Sequence, residues 1–150
     1  MIVKDEEDVL ERALSSIKDI ADEIIIVDTG STDMTKEIAA KFTDKIFDFE
    51  WCDDFSKARN YSFSKATQDY CMWLDADDVL LEADQKELMK LKETLSPETS
   101  VVMMRYNTGF DNDGKPTFTY YRERLLRRED QFYWEGFVHE VISPRGKMEY

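Results

Sequence analysis

Residues 23–33 read Glu-Ile-Ile-Ile-Val-Asp-Thr-Gly-Ser-Thr-Asp. The apolar part does not alternate with polar residues and is rich in β-branched side chains. Such a run suits a parallel strand covered on both faces. It ends in Asp28, and Thr29-Gly30-Ser31-Thr32 then forms a turn that closes on N-cap chemistry. A helix follows from about Asp33 to Phe42, with Ile38, Ala39 and Phe42 turned inward. A buried strand that passes through a short turn into a helix is one half of a βαβ unit.

The same alternation extends in both directions. Ile2-Val3 is the tail of a strand. Asp5 then caps a helix, with Glu6, Glu7 and Asp8 near its positive end. Val9, Leu10, Ala13, Leu14, Ile17 and Ile20 recur at helical spacing and mark its buried stripe. Downstream, 45–49 reads as a strand, 55–66 as a helix, 70–74 (YCMWL) as a strand and 84–95 as a helix stopped by Pro97. The fold class is therefore α/β, a mostly parallel sheet flanked by helices. Right-handed crossovers place the strand ends on one rim, and ligands bind there. Beyond residue 100 the pattern changes. Strand-like 101–107 and 117–126 flank the turn Asp111-Asn112-Asp113-Gly114, a late antiparallel excursion. Residues 132–142 carry rings, one glycine and the only histidine.

Asp and Glu outnumber Lys and Arg by 33 to 20, a formal charge of −13. Such a surface repels nucleic acid and anionic lipid, so neither is an expected partner. Cys52 and Cys71 show no paired spacing and read as ordinary buried thiols of a reducing, cytoplasmic protein. No apolar run approaches the roughly 20 residues needed to cross a bilayer. Residues 1–150 are expected to form one domain, a fragment truncated at the start of strand one and at its carboxyl-terminal side.

Four stretches carry chemistry. Trp73-Leu74-Asp75-Ala76-Asp77-Asp78 delivers carboxylates at the end of an apolar strand. Residues i and i+2 share a side, so Asp75 and Asp77 can converge, and paired carboxylates ask for a cation. Hard oxygen ligands suit Mg2+ or Mn2+. A solvated acidic cap on the next helix is the plain alternative, but the position at a buried strand end favours the metal. Asp28, on the same rim, is placed to accept hydrogen bonds from a base edge or ribose, while Ser31, Thr32 and Asp33 serve the turn. Arg59, in Ala58-Arg59-Asn60, is either a base or phosphate contact or a surface ion pair. Finally, Trp134-Glu135-Gly136-Phe137-Val138-His139-Glu140 offers His139 as a metal ligand and Glu140 as a general base. Trp134 and Phe137 are a sugar platform or, by default, core rings. No G-x-G-x-x-G, Walker lysine loop or G-x-S-x-G elbow occurs.

VKDEE, VDTGSTD, ARN, WLDADD and WEGFVHE occur in the order seen in family 2 glycosyltransferases, and the chain resembles their bacterial branch over essentially its whole length. The resemblance implies a GT-A fold, a nucleotide-diphosphate sugar donor, UDP-linked, a Mn2+ or Mg2+ ion at the Asp-x-Asp motif, and inversion by direct displacement. Residue by residue it implies Lys4, Glu6, Asp28, Arg59 and Asp75 around the nucleotide. It puts Asp75, Asp77 and His139 at the metal, and Glu140, with His139 second, at the acceptor as base. The acceptor would be a carbohydrate, a lipid-linked group or a protein. Where many relatives have two adjacent acids, this chain has Asp28-Thr29. The alternatives are a nucleotidyltransferase on a similar sheet and a non-catalytic nucleotide-sugar-binding module.

Overall fold

The computed structural model describes residues 1–150. Three short parallel strands, β1 (Ile2–Val3), β2 (Ile26–Asp28) and β3 (Ile46–Asp48), form one sheet with β2 in the middle. Helices α1 (Leu10–Ser15) and α2 (Thr35–Ala39) are the crossovers, and α3 (Phe55–Ser64) leads from β3 to β4 (Tyr70–Met72). Helix α4 (Glu82–Thr94) leads into the long hairpin of β5 (Thr99–Phe110) and β6 (Pro116–Arg127). Short strands β7 (Trp134–Glu135), β8 (Val141–Ile142) and β9 (Lys147–Glu149) complete the chain.

The α/β class and the late antiparallel excursion are as the sequence reads. One allegiance differs. β4 pairs antiparallel with β6, in a second sheet ordered β4-β6-β5-β9, and not with the parallel sheet. Between β1 and β4 lies an apolar cleft of about 490 Å³ lined by Met1, Ile2, Ile25, Phe63, Met72 and Leu88.

Each sheet has its own core. Val3, Leu10, Leu14, Ile26, Ala39 and Ala76 close the first, with Ile38 and Phe42 packed against them as the helical spacing required. Trp73, Val101, Leu126, Phe132, Trp134 and Ile142 close the second. Trp134 is thus a core ring, its face set edge-on to Trp73 at 5.1 Å, and it offers no platform to a sugar. Phe137 is 70% exposed. Cys71 is half-buried and Cys52 exposed, so neither thiol is fully buried as expected.

Asp5 does not cap α1. Its backbone is left-handed at φ 53°, which turns its carboxylate across to the β2–α2 loop, where Oδ1 accepts from Thr32 N at 2.7 Å. In return Ser31 Oγ, Thr35 Oγ1 and Asp33 Oδ2 accept from the backbone N–H groups of Asp5, Glu6 and Glu7. The two strand-end loops therefore brace one another. Asp54, unmentioned in the sequence reading, is the one side-chain N-cap of a long helix, accepting from Lys57 N at 3.1 Å.

Glu23 ties three segments together. Its buried side chain pairs with Lys45 and accepts from Thr67 N and Thr67 Oγ1, both at 2.9 Å. Burial alone would raise its pKa, but the Lys45 bond and the two Thr67 bonds outweigh it and bring it down to about 2. The folded value lies below the ordinary 4.5, so the stabilisation is full above pH 4.5 and is lost as pH falls toward 2. Glu23→Gln is expected to lower stability by about 2 kcal/mol at pH 7, discounted for the exposed Lys45. Urea midpoints should show that gap narrowing at pH 3; a gap independent of pH would contradict the ion pair.

Candidate active site

The carboxyl ends of β1 and β2 and the segment after β4 bring acidic groups to one rim. Asp28 is 2% exposed. Its Oδ1 accepts from Gly30 N and Ser31 N, both at 2.9 Å, so it shapes the turn itself, and Gly30 (φ 109°) supplies the backbone angle. Its other oxygen, Oδ2, is buried with no partner. Buried acceptors are seldom left so without a ligand or water to serve.

Glu6, Asp75 and Asp77 share the rim electrostatically. Glu6 has its pKa raised, first by burial and then by the charges of Asp77, Asp33, Asp75 and Asp5. Asp77 is exposed and Asp75 half-buried. Asp78, its side chain 12% exposed, accepts from the Asp75 backbone N at 3.1 Å and from Arg124 Nη2 at 2.6 Å, which fixes the loop. Lys4 is exposed, one residue past the end of β1.

Arg59 occupies a different place from the one expected. It is neither a surface ion pair nor a free cation. Its side chain is 11% exposed. Nη2 donates to Asp75 Oδ1 at 2.7 Å and Nε to Glu140 Oε1 at 2.5 Å. The guanidinium lies 5.4 Å from the ring centre of Trp73 and 4.7 Å from that of Trp134. Its charge is shared between two carboxylates, which makes it a strut between the β4 end and the β7–β8 loop. Asn60 secures the same loop, exchanging hydrogen bonds with Trp134 N (2.7 Å) and Trp134 O (2.9 Å). Both residues were visible as ARN, but their partners, Glu140 and Trp134, lie 81 and 74 positions away.

His139 and Glu140 part company. His139 is exposed and has a left-handed backbone, φ 59°. That turn directs Glu140 inward, to 11% exposure, and leaves His139 outside. No group of three His, Cys, Asp or Glu side chains converges as a metal cage. Of the expected set Asp75, Asp77 and His139, the first two stand at the β4 end and His139 lies exposed on the β7–β8 turn. Asp75 and Asp77 are hard oxygen donors of the kind that suits Mg2+ or Mn2+ where phosphate oxygens and water complete the shell. The acidic charges around Glu6, second to burial in raising its pKa, are of the sign that such a cation would offset.

Solved relatives share this architecture. S. aureus TarS in complex with UDP superposes with a TM-score of 0.62 at 19% identity, over 89% of this chain and 48% of that one. The mannosyltransferase PcManGT from Pyrobaculum calidifontis, solved with GDP-Man and Mn2+, gives 0.55 at 19% identity, over 73% of this chain and 34% of that one. In sequence, a TPR repeat-containing protein of Synechococcus elongatus is 48% identical over 95% of this chain. The chain spans about a third of that relative's length (34%). No helix is long and apolar enough to cross a membrane. The model of glycosyl transferase family 2 matches residues 1–145. This chain belongs to glycosyl transferase family 2.

Proposed function

We propose that the chain binds a nucleotide-diphosphate sugar, UDP-linked, at the rim formed by β1, β2 and the β4 end, and transfers the sugar with inversion to an acceptor hydroxyl. The observation that carries this is the unpartnered Asp28 Oδ2 at the end of a buried strand, beside the mutually repelling Glu6, Asp75 and Asp77. Asp28 Oδ2 accepts from the ribose or the base. Asp77, with Asp75, would hold a Mn2+ or Mg2+ ion, whose chemistry when bound is to offset the charge of the departing diphosphate. Lys4 adds a cation on the nucleotide side. Arg59 anchors Glu140 by Oε1, leaving Oε2 to take the proton from the acceptor hydroxyl. His139, exposed on the same turn, is the second candidate for that role.

Titrating UDP into the protein by calorimetry, with and without Mn2+, tests the donor half of the reading. Tighter binding with the ion is expected. Equal heats and equal affinities in the two titrations would remove the metal from the reading. No binding in either would remove the donor.

A further inference from the structure

We propose that one face of the β5–β6 hairpin is a binding track for an uncharged saccharide acceptor. This rests on the glycosyl-transfer reading. β9 pairs with β5 only at Thr99–Val102, and β4 pairs with β6 only at Leu125–Arg127. Beyond them the hairpin runs on as a two-stranded arm in the register Tyr106↔Tyr120, Thr108↔Phe118, Phe110↔Pro116. Residues opposite one another, and two apart along a strand, share a face. Tyr106, Thr108, Phe110, Phe118 and Tyr120 therefore stand together. Such an arm is marginal alone, yet Phe110 and Phe118 are 61% and 62% exposed.

The rings lead into the candidate active site. Phe118 lies 5.5 Å from Tyr120, and Tyr120 lies 5.6 Å from Tyr106. Tyr106 lies 5.1 Å from the Arg124 guanidinium, which bonds Asp78, the anchor of the Asp75 backbone. Tyr106 is itself beside Asp78; burial, then that carboxylate, pushes its hydroxyl up to about 12, so it stays a neutral donor. Arg124 Nη1 is buried with no partner, a donor left over at the inner end.

The chemistry of the face selects its occupant. It carries rings and hydroxyls, and its two guanidinium groups, Arg124 and Arg122 (two residues from Tyr120), are neutralised by Asp78 and Glu123. A polyanion would meet a chain of charge −13. A wholly apolar ligand would strand the Tyr and Thr hydroxyls. A neutral sugar chain offers apolar C–H faces to the rings and hydroxyls to the polar groups. Continuity with the rim would deliver its terminal hydroxyl beside Glu140 and Asp75.

The test uses a printed panel of neutral oligosaccharides and three proteins: wild type, Phe118→Ala/Tyr120→Ala, and Tyr121→Ala on the opposite face. Wild type and Tyr121→Ala should bind the same panel members. The double variant should bind them about tenfold more weakly or not at all, two ring contacts being lost, with Mn2+-dependent UDP affinity unchanged. Failure of wild type to bind any panel member, or full binding by the double variant, would overturn the track. So would a wild-type dimer that the double variant splits in sedimentation, which would make the face a contact between copies. A wild type that binds saccharide but no UDP would instead sink the donor reading.

Discussion

Arg59→Ala is expected to abolish sugar transfer and to cost the fold about 3–5 kcal/mol. The magnitude follows from what the side chain leaves behind. Asp75 and Glu140 each accept from Arg59, at 2.7 and 2.5 Å. Glu140 is 11% exposed and Asp75 35%. Without the guanidinium, two inward carboxylates face one another with no cation, and a gap opens between Trp73 and Trp134. Arg59→Lys should recover part of the stability and little of the activity, because an ammonium cannot fork to two acceptors in fixed directions. Urea unfolding and a transfer assay on the full-length protein measure both. The strut would be wrong if Arg59→Ala lost under 1 kcal/mol. A double cycle with Glu140→Gln separates the pair from mere packing: a coupling energy near zero would say that the two residues act independently.

That prediction also marks the boundary of what the chain made legible. The apolar run before Asp28, the stripe from Val9 to Ile20 and the turn at Asp111–Gly114 are local patterns. They fixed the strands, the crossovers and the hairpin, because each is decided by neighbours within a few residues. Element ends were less legible: β2 starts at Ile26 and α2 stops at Ala39, short of the apolar pattern, since pairing partners and not propensity set their length. Asp5 looked like a cap because acids followed it, but a left-handed backbone sent it to the neighbouring loop. The rim carboxylates Asp28, Asp75 and Asp77 were readable from strand-end position alone. The role of Arg59 was not, since a lone arginine on a helix gives no hint of carboxylates 16 and 81 residues away. His139 and Glu140 were legible as neighbours with different roles, but not that the left-handed backbone of His139 leaves it outside while Glu140 turns inside.

Asp77→Ala is expected to erase the effect of Mn2+ on UDP affinity, a loss on the order of 100-fold if the ion supplies about 2.7 kcal/mol of donor binding. Asp77 is the right carboxylate to remove. Asp75 is entangled with Arg59, and its loss would disturb the strut as well as any ion. Asp77 is exposed, so its removal should shift stability by no more than about 0.5 kcal/mol. The sign of that shift is informative. Glu6 feels the charge of Asp77 before that of any other group, and like charges held together destabilise a fold that has no cation between them. In metal-free buffer the variant should therefore equal or slightly exceed wild type in urea midpoint. With Mn2+ present, wild type alone should gain. Asp77→Asn, which keeps the shape and drops the charge, should behave like the alanine variant in both respects. If instead Asp77→Ala bound UDP with an undiminished response to Mn2+, the ion would have to sit on Asp75 and Glu6, and the strand-end pair would be a solvated acidic turn.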